Sequence, residues 1–339
     1  MNRIRSEQFH KNRAPSLRLA ALLLCALLLF SAVSALTACA PSSEDGVLRV
    51  VCTVFPIYDW ARVLLEGEDV ELTLLVDNGT DLHSYQPTAA DRALLASCDL
   101  LIRVGGSSDE WIEEMLKSAP SDSRRELVLS DLTQITLREI SSSSVAEPAH
   151  GEEGHHHHAV DEHLWLSLRN ASVCVEAMAE ELSSLFGEDV HPRKEGYLFS
   201  LSLLDSRYSS AVSQATDPRV LFCDRFPFVY LLSDYNIAYL AAFEGCTTDT
   251  DAGFDTVIRL ANTLNEWKLS AVAVTEDSDG TLARSVIGAS SQKDCAVLTL
   301  SSMQAVSRSE IDGGISYLSV MEENLSTLCR LLRVEVPTA

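Results

Sequence analysis

Positive charge is scarce in this chain. Its 339 residues carry 26 lysines and arginines against 49 aspartates and glutamates, a formal net charge of −23. A surface so anionic repels phosphate backbones and gathers cations, which excludes nucleic acid as a partner. Catalytic signatures are missing too. There is no HExxH helix and no Gly-x-Ser-x-Gly elbow, so neither a zincin site nor a hydrolase nucleophile is present and no enzyme is expected. The cysteines form no CxxC and are widely spaced, which argues against a disulfide framework or a zinc knuckle. Apart from Cys25 and Cys39, seven remain: Cys52, Cys98, Cys174, Cys223, Cys246, Cys295 and Cys329. Most lie in apolar runs and read as small hydrophobes.

The amino terminus has a secretory pattern. A basic stretch (Arg3, Arg5, Lys11, Arg13, Arg18) precedes the apolar run Leu19 to Ala35, then Leu36-Thr37-Ala38-Cys39 and the polar residues Pro41 to Gly46. A cysteine directly after small residues resembles the bacterial lipobox. That implies a signal over 1–38, a lipidated Cys39 and a tether over 39–46, with the folded part held at the outer face of the cytoplasmic membrane. An uncleaved transmembrane anchor is the alternative.

The most unusual stretch runs from Glu147 to Trp165. It holds His150, His155, His156, His157, His158 and His163 among Glu152, Glu153, Asp161 and Glu162. Neutral imidazole is the commonest metal ligand, and neighbouring carboxylates concentrate cations. The run is too polar and too glycine-rich for a core element, so it reads as a solvated, metal-collecting loop. Its end, His163-Leu164-Trp165-Leu166, is apolar and marks re-entry into the fold.

Either side of this loop, β-branched runs alternate with helical patterns. Strands are expected at Val47 to Val54, Val70 to Val76, Leu100 to Val104 and Glu126 to Leu129, then at Val220 to Cys223, Ile237 to Phe243, Ala271 to Thr275 and Ala296 to Leu300. Short connections and intervening helices predict parallel sheets covered by helices. Between the halves, Tyr197, Leu201, Leu204, Tyr208 and Val212 recur at helical spacing after Pro192. About 23 residues at about 1.5 Å each make a rod of roughly 35 Å. The expected fold is α/β with two lobes, each a parallel sheet flanked by helices, joined by one long rigid helix. The lobes are assigned to 47–190 (with the loop 147–163) and 217–339, and the linking helix to 191–216. A ligand belongs between them, near the carboxyl ends of the strands.

Several pieces, in order, resemble one family: Val54-Phe55-Pro56-Ile57-Tyr58-Asp59, His83-Ser84-Tyr85-Gln86-Pro87, Asp161-Glu162-His163-Leu164-Trp165, Phe228-Val229-Tyr230 and Tyr317-Leu318. With the lipobox and histidine insert they look like the solute-binding lipoproteins of zinc- and manganese-type metal-ion ABC transporters. The resemblance covers essentially everything after Cys39. It implies a monomer that captures a divalent cation between two lobes and delivers it to an ABC permease and its ATPase.

The resemblance also implies ligands. His83 matches the family's His-x-Tyr-x-Pro histidine, and His163 matches the histidine of Asp-Pro-His-x-Trp, with Glu162 in place of proline. A carboxylate after a C-lobe strand fits Glu276, with Asp279 second. The remaining ligand slot is occupied by Arg225, whose guanidinium is always protonated and cannot bind a cation. Three completions are open: Asp224 substitutes; water or a loop histidine fills the shell; or Arg225 neutralises nearby carboxylates and the site has changed its ligand. Two histidines and a carboxylate suit Zn²⁺, and a richer oxygen shell would suit Mn²⁺; the histidine insert tips the choice to zinc. A binding protein or adhesin with a non-metal ligand is the alternative raised by Arg225.

Overall fold

The structure, a computed structural model, describes residues 47–80, 82–118, 120–121, 123–141, 143, 160–187, 190–246 and 252–338. The leader, Cys39 and the histidines at 150 and 155–158 lie outside the described residues. Everything described belongs to one compact unit, Gly46–Ala339. No helix among the described residues is long and apolar enough to cross a membrane.

The first half forms β1 (Leu48–Cys52), α1 (Phe55–Leu64), β2 (Val70–Leu74), α2 (Ala89–Ser97), β3 (Leu100–Arg103), α3 (Glu110–Ser118) and β4 (Arg125–Val128). Its four strands lie parallel in the order β2-β1-β3-β4, with Val50 opposite Leu100. The helices α4 (Leu168–Phe186) and α5 (His191–Ser213) follow. The second half repeats the scheme with β5 (Arg219–Phe222), α6 (Val229–Asp234), β6 (Ala238–Ala241), α7 (Phe254–Trp267), β7 (Ala271–Thr275), α8 (Thr281–Ala289) and β8 (Ala296–Leu300), closed by α9 (Arg308–Asp312) and α10 (Tyr317–Leu332). Its order, β6-β5-β7-β8, is again parallel. The expected α/β fold with two parallel sheets is therefore present.

Side chains alternate across each sheet, and the cores follow that period. Val50, Cys52, Leu100 and Ile102 face inward with Phe222 and Ala273 into one core shared by both halves. Val51 and Leu101 face outward onto Leu95 of α2 and Ile112 of α3. Leu221, Val272 and Val274 face outward onto Leu260 and Leu264 of α7 and Val286 of α8. Strands with both faces covered read as continuous apolar runs, which is why they were visible in the sequence.

The rod α5 spans 23 residues, and all five residues of its apolar stripe are buried. It packs on α4 and α1 from the first half and on α10 from the second, where the Tyr208 hydroxyl donates to the Met321 carbonyl at 2.6 Å. Tyr317, at the start of α10, ties the halves together. Its N–H donates to Asp59 Oδ2 at 2.8 Å, its hydroxyl donates to the Trp165 carbonyl at 2.6 Å, and its ring meets Trp60 edge-on. In each sheet the chain crosses over in opposite directions from the two central strands, β1 and β3 or β5 and β7. The crevice beyond their carboxyl ends is where such sheets hold ligands.

Candidate metal centre

Three loops from different elements converge at this end. His83 sits on a 3₁₀ turn, Leu82–Ser84, that follows β2. Two residues on, Tyr85 clamps the loop: its hydroxyl lies 2.9 Å from Asp91 Oδ2 and 3.3 Å from the Leu75 carbonyl. Asp91 is also the capping partner of Thr88, so the capping box that starts α2 also serves to hold the His83 loop.

His163 begins the 3₁₀ turn Leu164–Leu166 and is 2% exposed. Its Nδ1 lies 2.8 Å from Asp161 Oδ1, which also accepts from the His163 N–H at 2.9 Å. Asp161 is fixed in turn, because its carbonyl accepts from the Tyr230 hydroxyl at 2.6 Å and its N–H donates to the Arg138 carbonyl. A carboxylate on Nδ1 holds that proton and leaves the Nε2 lone pair facing outward, the arrangement common behind metal-binding histidines.

The Nε2 atoms of His83 and His163 stand 3.3 Å apart. Cys246 Sγ completes the cluster, with all three donor atoms within 4.8 Å of one another. Cys246 follows β6 on a turn pinned by the Phe226 N–H donating to the Gly245 carbonyl at 2.7 Å. Gly245 has φ of +55°, and a Cβ there would come within 3.0 Å of Ile140, so a side chain at 245 would be both strained and crowded.

The electrostatics of the cluster are coupled. Burial works against charge on both groups. Even so, the neighbouring imidazoles of His163 and His83 bring the Cys246 thiol down to about 7. Against the same burial penalty, Cys246 and Asp161 hold the His163 imidazole well above its ordinary range. Five of the other cysteines behave as the sequence suggests, while Cys295 is half-buried. Cys52, Cys98, Cys174, Cys223 and Cys329 are buried, and desolvation raises their thiols, Cys98 to about 11. Cys246 alone has its thiol lowered, and reading most of the cysteines as small hydrophobes did not single it out. The available signal was its setting, a glycine turn just past a C-lobe strand rather than an apolar run.

Of the residues expected as ligands, His83 and His163 are brought together, whereas Glu276 and Asp224 fall outside the cluster. Glu276 follows β7 as anticipated, but both its oxygens accept from the Ser302 N–H, at 3.0 and 2.9 Å, and one also from the Ser302 hydroxyl at 2.7 Å. Asp224 accepts from the Arg225 N–H at 2.8 Å and from the Thr275 hydroxyl at 3.2 Å. The Arg225 guanidinium lies 3.9 Å from Asp277, consistent with the third completion, in which it neutralises carboxylates. Asp224, Arg225, Asp277 and Asp279 line a cavity of about 640 Å³ that reaches Ser84, next to His83. Asp279 accepts from the Thr281 N–H at 2.7 Å at the start of α8 and is not in the cluster.

A family model described as ZnuA, the periplasmic zinc-uptake complex component A, matches residues 50–330. The zinc-binding lipoprotein AdcA of Streptococcus pneumoniae serotype 4 is 27% identical over 320 residues, covering 93% of this chain but 60% of AdcA. The chain thus spans about three-fifths of the length of that relative. The high-affinity zinc uptake system protein ZnuA of Bacillus subtilis is 23% identical over 310 residues, 90% of this chain and 93% of that protein. Among solved structures, the Zn(II)-bound ZnuA-like domain of S. pneumoniae AdcA superposes with a TM-score of 0.66 at 22% identity, over 85% of this chain and 99% of that domain.

Proposed function

The chain belongs to the zinc-uptake complex component A family, and from that premise we propose that it captures a divalent cation, zinc first, at His83, His163 and Cys246 and passes it to a membrane permease. It carries out no covalent chemistry. The observation that carries the reading is the 3.3 Å separation of the two Nε2 atoms. Two nitrogens bonded to one tetrahedral zinc at about 2.05 Å stand about 3.3 Å from each other, so the pair already has the spacing of one tetrahedral edge. Cys246 supplies a third donor, and water or cargo-exchange ligands take the fourth position. The mature chain is anchored through Cys39 outside the cytoplasmic membrane and acts as a monomer with an ABC permease and its ATPase. The histidines at 150 and 155–158 form an accessory, weakly binding collector. The lobes are 47–190 and 217–339, joined through 191–216.

Zinc accumulation by the host cell in zinc-limited medium tests this. Cells whose only copy carries His83→Ala or His163→Ala should accumulate zinc as poorly as cells lacking the protein. Wild-type accumulation in both, at equal protein level, would overturn the reading.

A further inference from the structure

The C-lobe carboxylate and Cys246 are linked through two side chains. The Ser302 hydroxyl donates to Glu276 at 2.7 Å, so its hydrogen is committed there. It can therefore only accept from Gln304, whose Nε2 lies 2.9 Å away. The same nitrogen lies 3.5 Å from Cys246 Sγ. An amide NH₂ has two hydrogens, one for Ser302 and one for the sulfur. Turning the amide over would set its oxygen against a hydroxyl oxygen with no hydrogen left to share, which fixes the orientation. Gln304 is 5% exposed and so held in place. The chain of donors thus runs one way, from the sulfur's donor Gln304 through Ser302 to Glu276. It leaves the sulfur as the acceptor at its end and keeps the carboxylate engaged elsewhere.

We propose that this arrangement makes the cluster selective for thiophilic cations, Zn²⁺ and the softer Cd²⁺, against oxygen-seeking cations such as Mn²⁺. The inference rests on the reading of His83 and His163 as a metal site. The donor set is two imidazole nitrogens and one sulfur, with Glu276 acting behind it as a positioning residue. Sulfur donors favour Zn²⁺ and softer ions, while Mn²⁺ favours carboxylate, carbonyl and water. The C-lobe carboxylate that could have offered hard oxygen lies outside the cluster and accepts from Ser302, which links it through Gln304 to the sulfur.

The test uses the full chain with His150 and His155–His158 changed to Asn, so that only the His83, His163 and Cys246 cluster is read. Cobalt(II) is the spectroscopic probe, because a thiolate on tetrahedral cobalt gives an intense near-ultraviolet charge-transfer band. The expected spectrum shows this band, lost with Cys246→Ser and shifted with Gln304→Leu. Competition titrations should show Zn²⁺ and Cd²⁺ each preferred over Mn²⁺, with Cys246→Ser reducing that preference. Cobalt bound in a His83-dependent manner but without the band would overturn the sulfur assignment while leaving the metal site standing. Equal affinity for Zn²⁺ and Mn²⁺ would overturn the selectivity. Absence of any His83-dependent cation would sink both readings together. The unmodified cluster's spectrum needs no Cys246 variant to fold, so the assignment is tested even where Cys246→Ser does not.

Discussion

His83 and His163, 80 residues apart in the chain, bring their Nε2 atoms to 3.3 Å. Neither imidazole is placed by its own short segment alone. Tyr85 clamps one loop to β2 and α2, and Asp161 orients the other ring while Tyr230 of the second half holds Asp161. A pair built this way is preorganised, so cation binding does not have to bear the cost of assembling it.

Removing the orienting carboxylate should loosen the site without emptying it. Asp161→Ala frees the His163 ring to turn and to protonate on either nitrogen. Zinc affinity measured by competition with a chelator is expected to fall about 10- to 100-fold, with secondary structure by circular dichroism unchanged. Wild-type affinity would mean that packing against Trp165 alone holds the ring.

The site should also report pH. With the Cys246 thiol near 7 and the His163 imidazole held above its ordinary range, acidification places protons on the atoms a cation needs. Zinc affinity should therefore decline as pH falls through about 7, with proton release on binding measurable by calorimetry in buffers of different ionisation enthalpy. An affinity flat from about pH 8 to about 5.5 would contradict ligation by these groups.

Asp109 gives a stability prediction of definite sign. Burial raises its carboxyl to about 6, although the Gly105 N–H and Arg103 pull it back down. The native state therefore binds this proton more tightly than the unfolded chain does. Between about pH 4 and about 6 this group's contribution to stability falls as pH rises, by about 3 kcal/mol at most. The stability difference between the wild type and Asp109→Asn, from chemical unfolding, should shift against the wild type across that window. A constant difference would show that Asp109 titrates normally.

Tyr317→Phe probes the seam between the halves. It leaves the buried Trp165 carbonyl without its donor, a loss of about 1–3 kcal/mol in unfolding free energy. Zinc stoichiometry should stay at the wild-type value. Unchanged stability would assign the seam to ring packing with Trp60 instead.

Much of this architecture was legible in the sequence because burial imposes a period. Strands such as Val220 to Cys223 are covered on both faces, and the α5 stripe is a helical repeat; both leave patterns that local reading detects. His83 and His163 were legible through the motifs around them. Cys246 was overlooked: its glycine turn past a C-lobe strand set it apart from the cysteines in apolar runs, but only the fold shows the two imidazoles beside it. Glu276 was placed at the right strand end, yet its engagement by Ser302, beyond a different strand, is a non-local contact that no spacing encodes. Arg225 lies 3.9 Å from Asp277, beyond a different strand, another contact that no spacing encodes.

The most direct measurement is a zinc titration of the full chain with His150 and His155–His158 changed to Asn, run beside the same protein carrying His83→Ala. One tight equivalent that disappears with His83→Ala is the expected result. A tight equivalent that survives His83→Ala would place the cation elsewhere. No tight equivalent in either protein would mean that the paired imidazoles hold only each other.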